Sequence, residues 1–265
     1  MSGMETRALA ARAEPGQIRS ALALGDAYLG HLPLETVPEA RWPALEALLD
    51  AAERERAARF HFDHDRRAYI AAHALLRATL SALTGLGAPD LRFSLNVYGK
   101  PELVPAPGVP PYRVNLSHTR GLAAVAVSLE QDVGVDVEWL GRRPPGLALA
   151  DRYFAPSECA WLAARPEADR HEALLTLWTL KEAYIKAVGL GLSLPLDAFA
   201  FELEPLTIRF SAQIEDRPER WCFQRYRPTA EHLMALALRT PAARPRAVHL
   251  HQVVAECLGG SAPFP

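Results

Sequence analysis

Residues 178–196 read WTLKEAYIKAVGLGLSLPL, and this stretch holds two of the three lysines in a chain whose twenty-six other basic side chains are arginine. At helical spacing, Leu174, Leu177, Trp178, Leu180, Tyr184, Ile185 and Val188 cover most of the circumference. They leave a narrow polar stripe through Thr179, Glu182 and Lys186. A glutamate and a lysine four apart usually form a surface ion pair worth about 0.3 to 0.5 kcal/mol. On a helix this apolar they need partners or a ligand, because a desolvated charge is costly alone. Gly189 and Gly191 read as the helix C-cap and the turn behind it.

Working outward, GVDVEWL (134–140) has strand alternation, so Asp136 and Glu138 share one face while Val135 and Val137 point the other way. Such a pair is most often a solvated strand face. Here it ends an apolar series, VNLSH (114–118), GLAAVAVSL (121–129) and VGVDVEWL (133–140), predicted as a three-strand meander. NLSH places Ser117 and His118 at a strand end, where a hydroxyl and an imidazole can meet a phosphate. The turn YGKP (98–101) presents Lys100, with Pro101 fixing its exit. One histidine, two spaced carboxylates, a Glu-Lys helix and a turn lysine suit a Mg²⁺-bound pyrophosphate, whose charge must be neutralised. Lysine rather than arginine fits where a compact ammonium must reach crowded oxygens.

Leu and Ala at helical spacing through 45–60 and 66–87 predict two helices around HFDHD (61–65). Helices are also expected over 155–165 and 171–189, and strands at 199–203, 206–210, 221–227 and 233–238. This order predicts an α+β fold in two halves, 1–140 and 141–265, with loose ends at 1–20 and 258–265. With 265 residues, 49% apolar, the chain can bury a sizeable core. A net charge of −2 gives no general attraction to nucleic acid or acidic membrane. The longest run free of Asp, Glu, Lys and Arg is 78–89, too short for a membrane span. Cys159, Cys222 and Cys257 lack C-x-x-C spacing and fit a reducing compartment, and the opening residues lack a signal-peptide pattern, so a cytoplasmic location is expected.

The motifs YGKPEL, VNLSH, GVDVE, RYFAPSECAWL and WTLKEAYIKAVGLGLSLPL, in this order, closely resemble the 4'-phosphopantetheinyl transferases of the surfactin-synthetase-activating type, over about residues 50–201. The resemblance implies two pseudo-symmetric α+β halves with coenzyme A in the cleft between them. It also implies transfer of the phosphopantetheine arm to a serine of acyl or peptidyl carrier proteins of fatty acid, polyketide or nonribosomal peptide synthesis, with release of adenosine 3',5'-bisphosphate. Carried over by motif, Asp136, Glu138 and Glu182 hold Mg²⁺ or Mn²⁺, and Glu182 and Lys186 are catalytic. Tyr98, Gly99, Lys100, Asn115, Ser117, His118, Asp136, Glu182 and Lys186 meet coenzyme A. The 3'-phosphate contact falls to Arg66 and Arg67, in competition with Arg56 and Arg59. A monomer is expected.

Arg142 and Arg143, on the proline-stiffened connector after the carboxylate strand, are expected to steer an acidic carrier protein. Lys181 has no part in this reading; if it faces solvent, its replacement by arginine is silent. Two other functions compete. A catalytically silent binder of coenzyme A or carrier protein would not need three carboxylates. A metal-dependent nuclease would want a lysine two residues beyond Glu138, where Leu140 stands. His61 and His64 flank Asp63 without a third metal ligand of suitable spacing.

Overall fold

The computed structural model describes residues 5–8, 14–142, 147–240 and 247–258. Its strands and α-helices run β1 (Glu5–Ala8), α1 (Pro15–Ala23), β2 (Ala27–Pro33), α2 (Trp42–Ala47), α3 (Ala51–Ala58), α4 (Asp63–Thr84), β3 (Phe93–Leu95), β4 (Pro101–Leu103), β5 (Tyr112–Thr119), β6 (Leu122–Leu129) and β7 (Val133–Trp139). They continue as α5 (Leu147–Tyr153), α6 (Pro156–Ala163), α7 (Glu167–Val188), β8 (Phe199–Leu203), β9 (Leu206–Phe210), β10 (Trp221–Thr229), β11 (His232–Arg239) and β12 (Ala247–Gln252). The class is α+β, as read from the order of patterns.

One sheet has the order β1-β12-β2-β6-β5 and carries α4 on one face; the other has the order β10-β11-β7 and carries α7. Each of these helices spans 22 residues and ends on a left-handed glycine, Gly85 or Gly189, both with φ of 77°. Among the described residues the apolar side chains form three clusters. The first lies between α4 and the five-stranded sheet and includes Tyr28, Leu75 and Val125. The second surrounds α7 and includes Leu180, Tyr184 and Phe199. In the third, Leu29, Ala124 and Val248 of the first sheet meet Val135, Val137 and Leu236 of the second. The alternation of GVDVE is therefore real, with valines towards the joint core and acids on the opposite face.

The expected three-strand meander is not what forms. β5 and β6 pair, but β7 leaves for the other sheet and pairs with β11, with Asp136 opposite Ala235 and Glu138 opposite Leu233. Side chains hold the side of β7 nearer β5: the Val135 N–H donates to Asn115 Oδ1 at 2.9 Å and the Val137 N–H to Ser117 Oγ at 3.3 Å. These donors are thereby withdrawn from a backbone ladder.

The sheets consequently divide between β6 and β7, ahead of the boundary at 140, and β12 returns to the first sheet beside β2. Residues 1–20 are not uniformly loose, since β1 pairs with β12 and α1 buries Ile18 and Leu22. In the expected loose tail Leu258 is buried, and 259–265 lie outside the described residues. The first predicted helix is broken at Asp50. That side chain accepts from the Glu53 N–H at 2.9 Å while Glu53 accepts from the Asp50 N–H at 3.0 Å, a capping box that starts α3 afresh.

Candidate active site

The site forms where β5, β7 and α7 meet. Gly134 lets β7 lie against the helix, because a methyl placed there would fall 2.1 Å from the Ala183 carbonyl oxygen and 2.4 Å from the Ala187 nitrogen. No larger residue permits this approach without separating the two elements. Two residues on, Asp136 is buried and its Oδ1 accepts from Lys186 Nζ at 2.6 Å and from Ser117 Oγ at 3.0 Å. Lys186 also donates to Ser117 Oγ at 2.9 Å. A strand of each sheet and the long helix thus converge on a hydroxyl, a carboxylate and an ammonium.

Asp136 Oδ2 is buried without a hydrogen-bond partner among the described residues. Glu138, on the same strand face, is largely buried and accepts from Arg142 at 2.7 Å. Burial and the nearby Asp136 push the Glu138 carboxyl up, against the pull of Arg142 and Lys186. Glu182 is pushed up to about 7 by burial and by the charges of Asp136 and Glu138, with Lys186 opposing. The three carboxylates therefore feel one another across the β7–α7 contact, and only Glu182 lacks a cation of its own among the described ion pairs. Among the described residues no three His, Cys, Asp or Glu side chains are gathered as a ready metal cage. What the site offers a divalent cation is hard oxygen donors, one of them buried and unpartnered.

His118, next to Ser117, is held down to about 4 by burial and by the neighbouring His73 and Lys186. It is thus a neutral imidazole at physiological pH. The Tyr69 ring lies 6.1 Å from that of His118 and 4.1 Å from that of His73, and the Arg56 guanidinium sits 5.7 Å from the Tyr69 ring. Arg56 is among the charges that bear on His118, after those of His73 and Lys186. Arg66 is instead bound to Asp63 at 2.8 Å, and Arg67 is clamped by both oxygens of Glu39 at 2.7 and 2.8 Å. Tyr69 and His73 escaped sequence reading; their spacing of four on α4 was the available signal.

The turn residues occupy a different place. Lys100 Nζ donates to the Ala187 carbonyl at 2.8 Å, at the C-terminal end of α7, and burial lowers it to about 8. Asn96 ties the same hairpin to the Gly189 carbonyl at 2.8 Å, and Tyr98 lies beside Gly191. Tyr98 and Lys100 thus sit at the end of the helix, and the Gly99 N–H donates to the Asn96 carbonyl within the turn. Asn115 serves β7, through the Val135 N–H.

Lys181 does not face solvent. It is wholly buried, paired with Glu158 at 2.7 Å, and donates to the carbonyls of Leu196 at 2.7 Å and Phe199 at 2.6 Å. Glu158 in turn accepts from the Phe201 N–H at 2.9 Å and the Ala155 N–H at 3.0 Å. Lys181 thus lies on a buried face of the helix, so the condition for a silent replacement by arginine is not met. Arg142 spends its charge on Glu138, and Arg143 lies outside the described residues.

Residues 132–237 match the family model described as 4'-phosphopantetheinyl transferase superfamily, and residues 37–130 match that described as 4'-phosphopantetheinyl transferase, N-terminal. The two ranges meet just ahead of β7, where the sheets divide. The chain is 33% identical over 168 residues to the 4'-phosphopantetheinyl transferase HetI of Nostoc, covering 63% of this chain and 70% of that protein. It is 33% identical over 159 residues to the 4'-phosphopantetheinyl transferase ffp of Bacillus subtilis, covering 60% and 68%, and 32% identical over 157 residues to Sfp of the same species, covering 59% and 67%. With these matches running through the strand and helix that build the site, the chain belongs to the 4'-phosphopantetheinyl transferase family.

Proposed function

We propose that this protein transfers the 4'-phosphopantetheine arm of coenzyme A to a serine hydroxyl of acyl or peptidyl carrier proteins. The observation that carries the reading is the junction of Lys186, Asp136 and Ser117 beside a glutamate held near neutrality. A base working near pH 7 is most effective when its own proton affinity lies close by. Glu182 takes the proton of the serine hydroxyl as its oxygen attacks the phosphorus that bears the pantetheine arm. The bond from that phosphorus to the bridging oxygen breaks, and adenosine 3',5'-bisphosphate leaves. Lys186 supplies a fixed positive charge where negative charge grows on the phosphates. Neutral His118 can donate one hydrogen bond to a phosphate oxygen without bringing another charge into the buried site.

Mg²⁺, with Mn²⁺ as the substitute, is the cation we assign to Asp136, Glu138 and Glu182, on the strength of their hard oxygens and the unpartnered Asp136 Oδ2. When bound it supplies positive charge to the pyrophosphate oxygens. The carboxylate cluster comes from one chain's own strand and helix, which supports a monomer as the working unit. Cys159, Cys222 and Cys257 are thiols rather than disulfide halves, which supports a cytoplasmic location. Intact-mass spectrometry of an apo carrier protein incubated with this protein, coenzyme A and Mg²⁺ tests the reading. Gain of the phosphopantetheine mass is the expected result. An unchanged carrier mass with every carrier class tried, despite coenzyme A binding, would instead leave a silent binder.

A further inference from the structure

Asp136 and Glu138 each hold one cation, but the two cations are built differently. Lys186 rises from α7, is bonded to Ser117 as well as Asp136, and is fixed by the packing of β7 on the helix. Arg142 belongs to the turn that follows β7, four residues beyond the glutamate it grips. Its side chain is 36% exposed while that of Glu138 is 12% exposed, so the guanidinium approaches the buried carboxylate from the solvent side. The described residues give it no second side-chain partner. Its release from Glu138 breaks one polar contact, whereas release of Lys186 breaks two.

A guanidinium N–H and a divalent cation want the same lone pairs. While Arg142 holds Glu138 Oε2 at 2.7 Å, the glutamate is at best a partial donor to an incoming ion. We propose that Arg142 is a removable internal counter-ion, which neutralises Glu138 in the metal-free protein and lowers the affinity of the site for a divalent cation by competing for that carboxylate. The inference rests on the reading above that Glu138 helps to receive the ion. It makes Arg142 a residue that sets metal affinity through Glu138 and touches neither substrate nor reacting atoms. The competition has a modest size, since a pair that is partly open to solvent contributes up to about a fivefold factor in an equilibrium.

The test is Mn²⁺ binding to the full chain without coenzyme A, read from the paramagnetic resonance signal of the free aqua ion. Arg142→Gln is expected to tighten Mn²⁺ about three- to fivefold over wild type, a gain that misfolding cannot produce. In a Glu138→Gln background the same replacement is expected to change nothing, because the carboxylate it competes for is gone. Unchanged or weaker binding in Arg142→Gln would overturn the proposal. So would equal tightening in the Glu138→Gln background, which would mark a general field effect. If neither wild type nor Arg142→Gln binds Mn²⁺, the assignment of the carboxylates to a cation fails and the proposal falls with it. Tight Mn²⁺ binding indifferent to Arg142 removes only the role given to the arginine.

Discussion

Replacing Glu182 by glutamine is expected to make the metal-free protein more stable while removing most of its activity. Burial and two neighbouring carboxylates raise the Glu182 carboxyl to about 7, against about 4.3 for a solvated glutamate. The folded chain therefore holds this proton more tightly than the unfolded chain does. The associated stability is fully present below about pH 4 and is lost as the pH rises to and through 7. At about 1.4 kcal/mol for each tenfold change in proton affinity, ionised Glu182 costs the fold about 4 kcal/mol at pH 8. Glutamine has nearly the same shape and no charge to bury, so the variant avoids that cost. For a chain of this size, about 4 kcal/mol corresponds to a Tm higher by about 8 °C at pH 8.

The assay is thermal unfolding of both proteins in chelator across pH 4 to 8, read as the difference between them so that other titrating groups cancel. The gap should be near zero at pH 4 and widen with pH. Mg²⁺ should stabilise wild type more than the variant. Turnover should fall at least about a hundredfold, the usual consequence of losing about 3 kcal/mol of transition-state stabilisation. A variant as stable as wild type or less stable at pH 8 would refute the claim that Glu182 is held in an uncompensated, desolvated place.

Lys186→Arg should lower kcat/KM for coenzyme A at least about tenfold despite the retained charge, because the planar fork cannot reproduce the bonds of one ammonium to both Asp136 Oδ1 and Ser117 Oγ; steady-state kinetics decide it. Gly134→Ala should destabilise the fold by about 3 kcal/mol or more in denaturant titration, since the added methyl meets helix backbone that cannot rotate away. Lys181→Met should cost about 3 to 5 kcal/mol in the same titration by leaving Glu158 buried and unpaired, and Lys181→Met combined with Glu158→Gln should recover part of that loss.

Much of the site was legible because its residues obey short periods. Asp136 and Glu138 share a strand face at a spacing of two, and Glu182 and Lys186 share a helix stripe at a spacing of four; neither relation needs tertiary knowledge. The convergence of Ser117 on Asp136 was not legible, because it depends on β7 leaving its sequence neighbours for β11. No local pattern distinguishes a third meander strand from one that crosses to another sheet. β2 and β12 escaped for a related reason. β2 is buried along its whole length and has no alternation to read, and the partner of β12 is more than 200 residues away in sequence. Lys181 misled because a lysine beside a functional glutamate looks like a surface charge until Glu158 and the two carbonyls are placed around it.

The exchange of strands between the two sheets also governs how this chain can be made. Val133–Trp139, which follows β6 directly in sequence, belongs to the second sheet, and Ala247–Gln252, which comes after every strand of the second, belongs to the first. During synthesis the leading half therefore waits with an open edge along β2 until β12 has followed β10 and β11 out of the ribosome, and topology rules out completion of the first sheet before the strands of the second have emerged. The two units are sewn through each other, so closure of the first sheet is a late, long-range event. That event fixes β2 and β6, and with them β5, whose Ser117 grips Asp136.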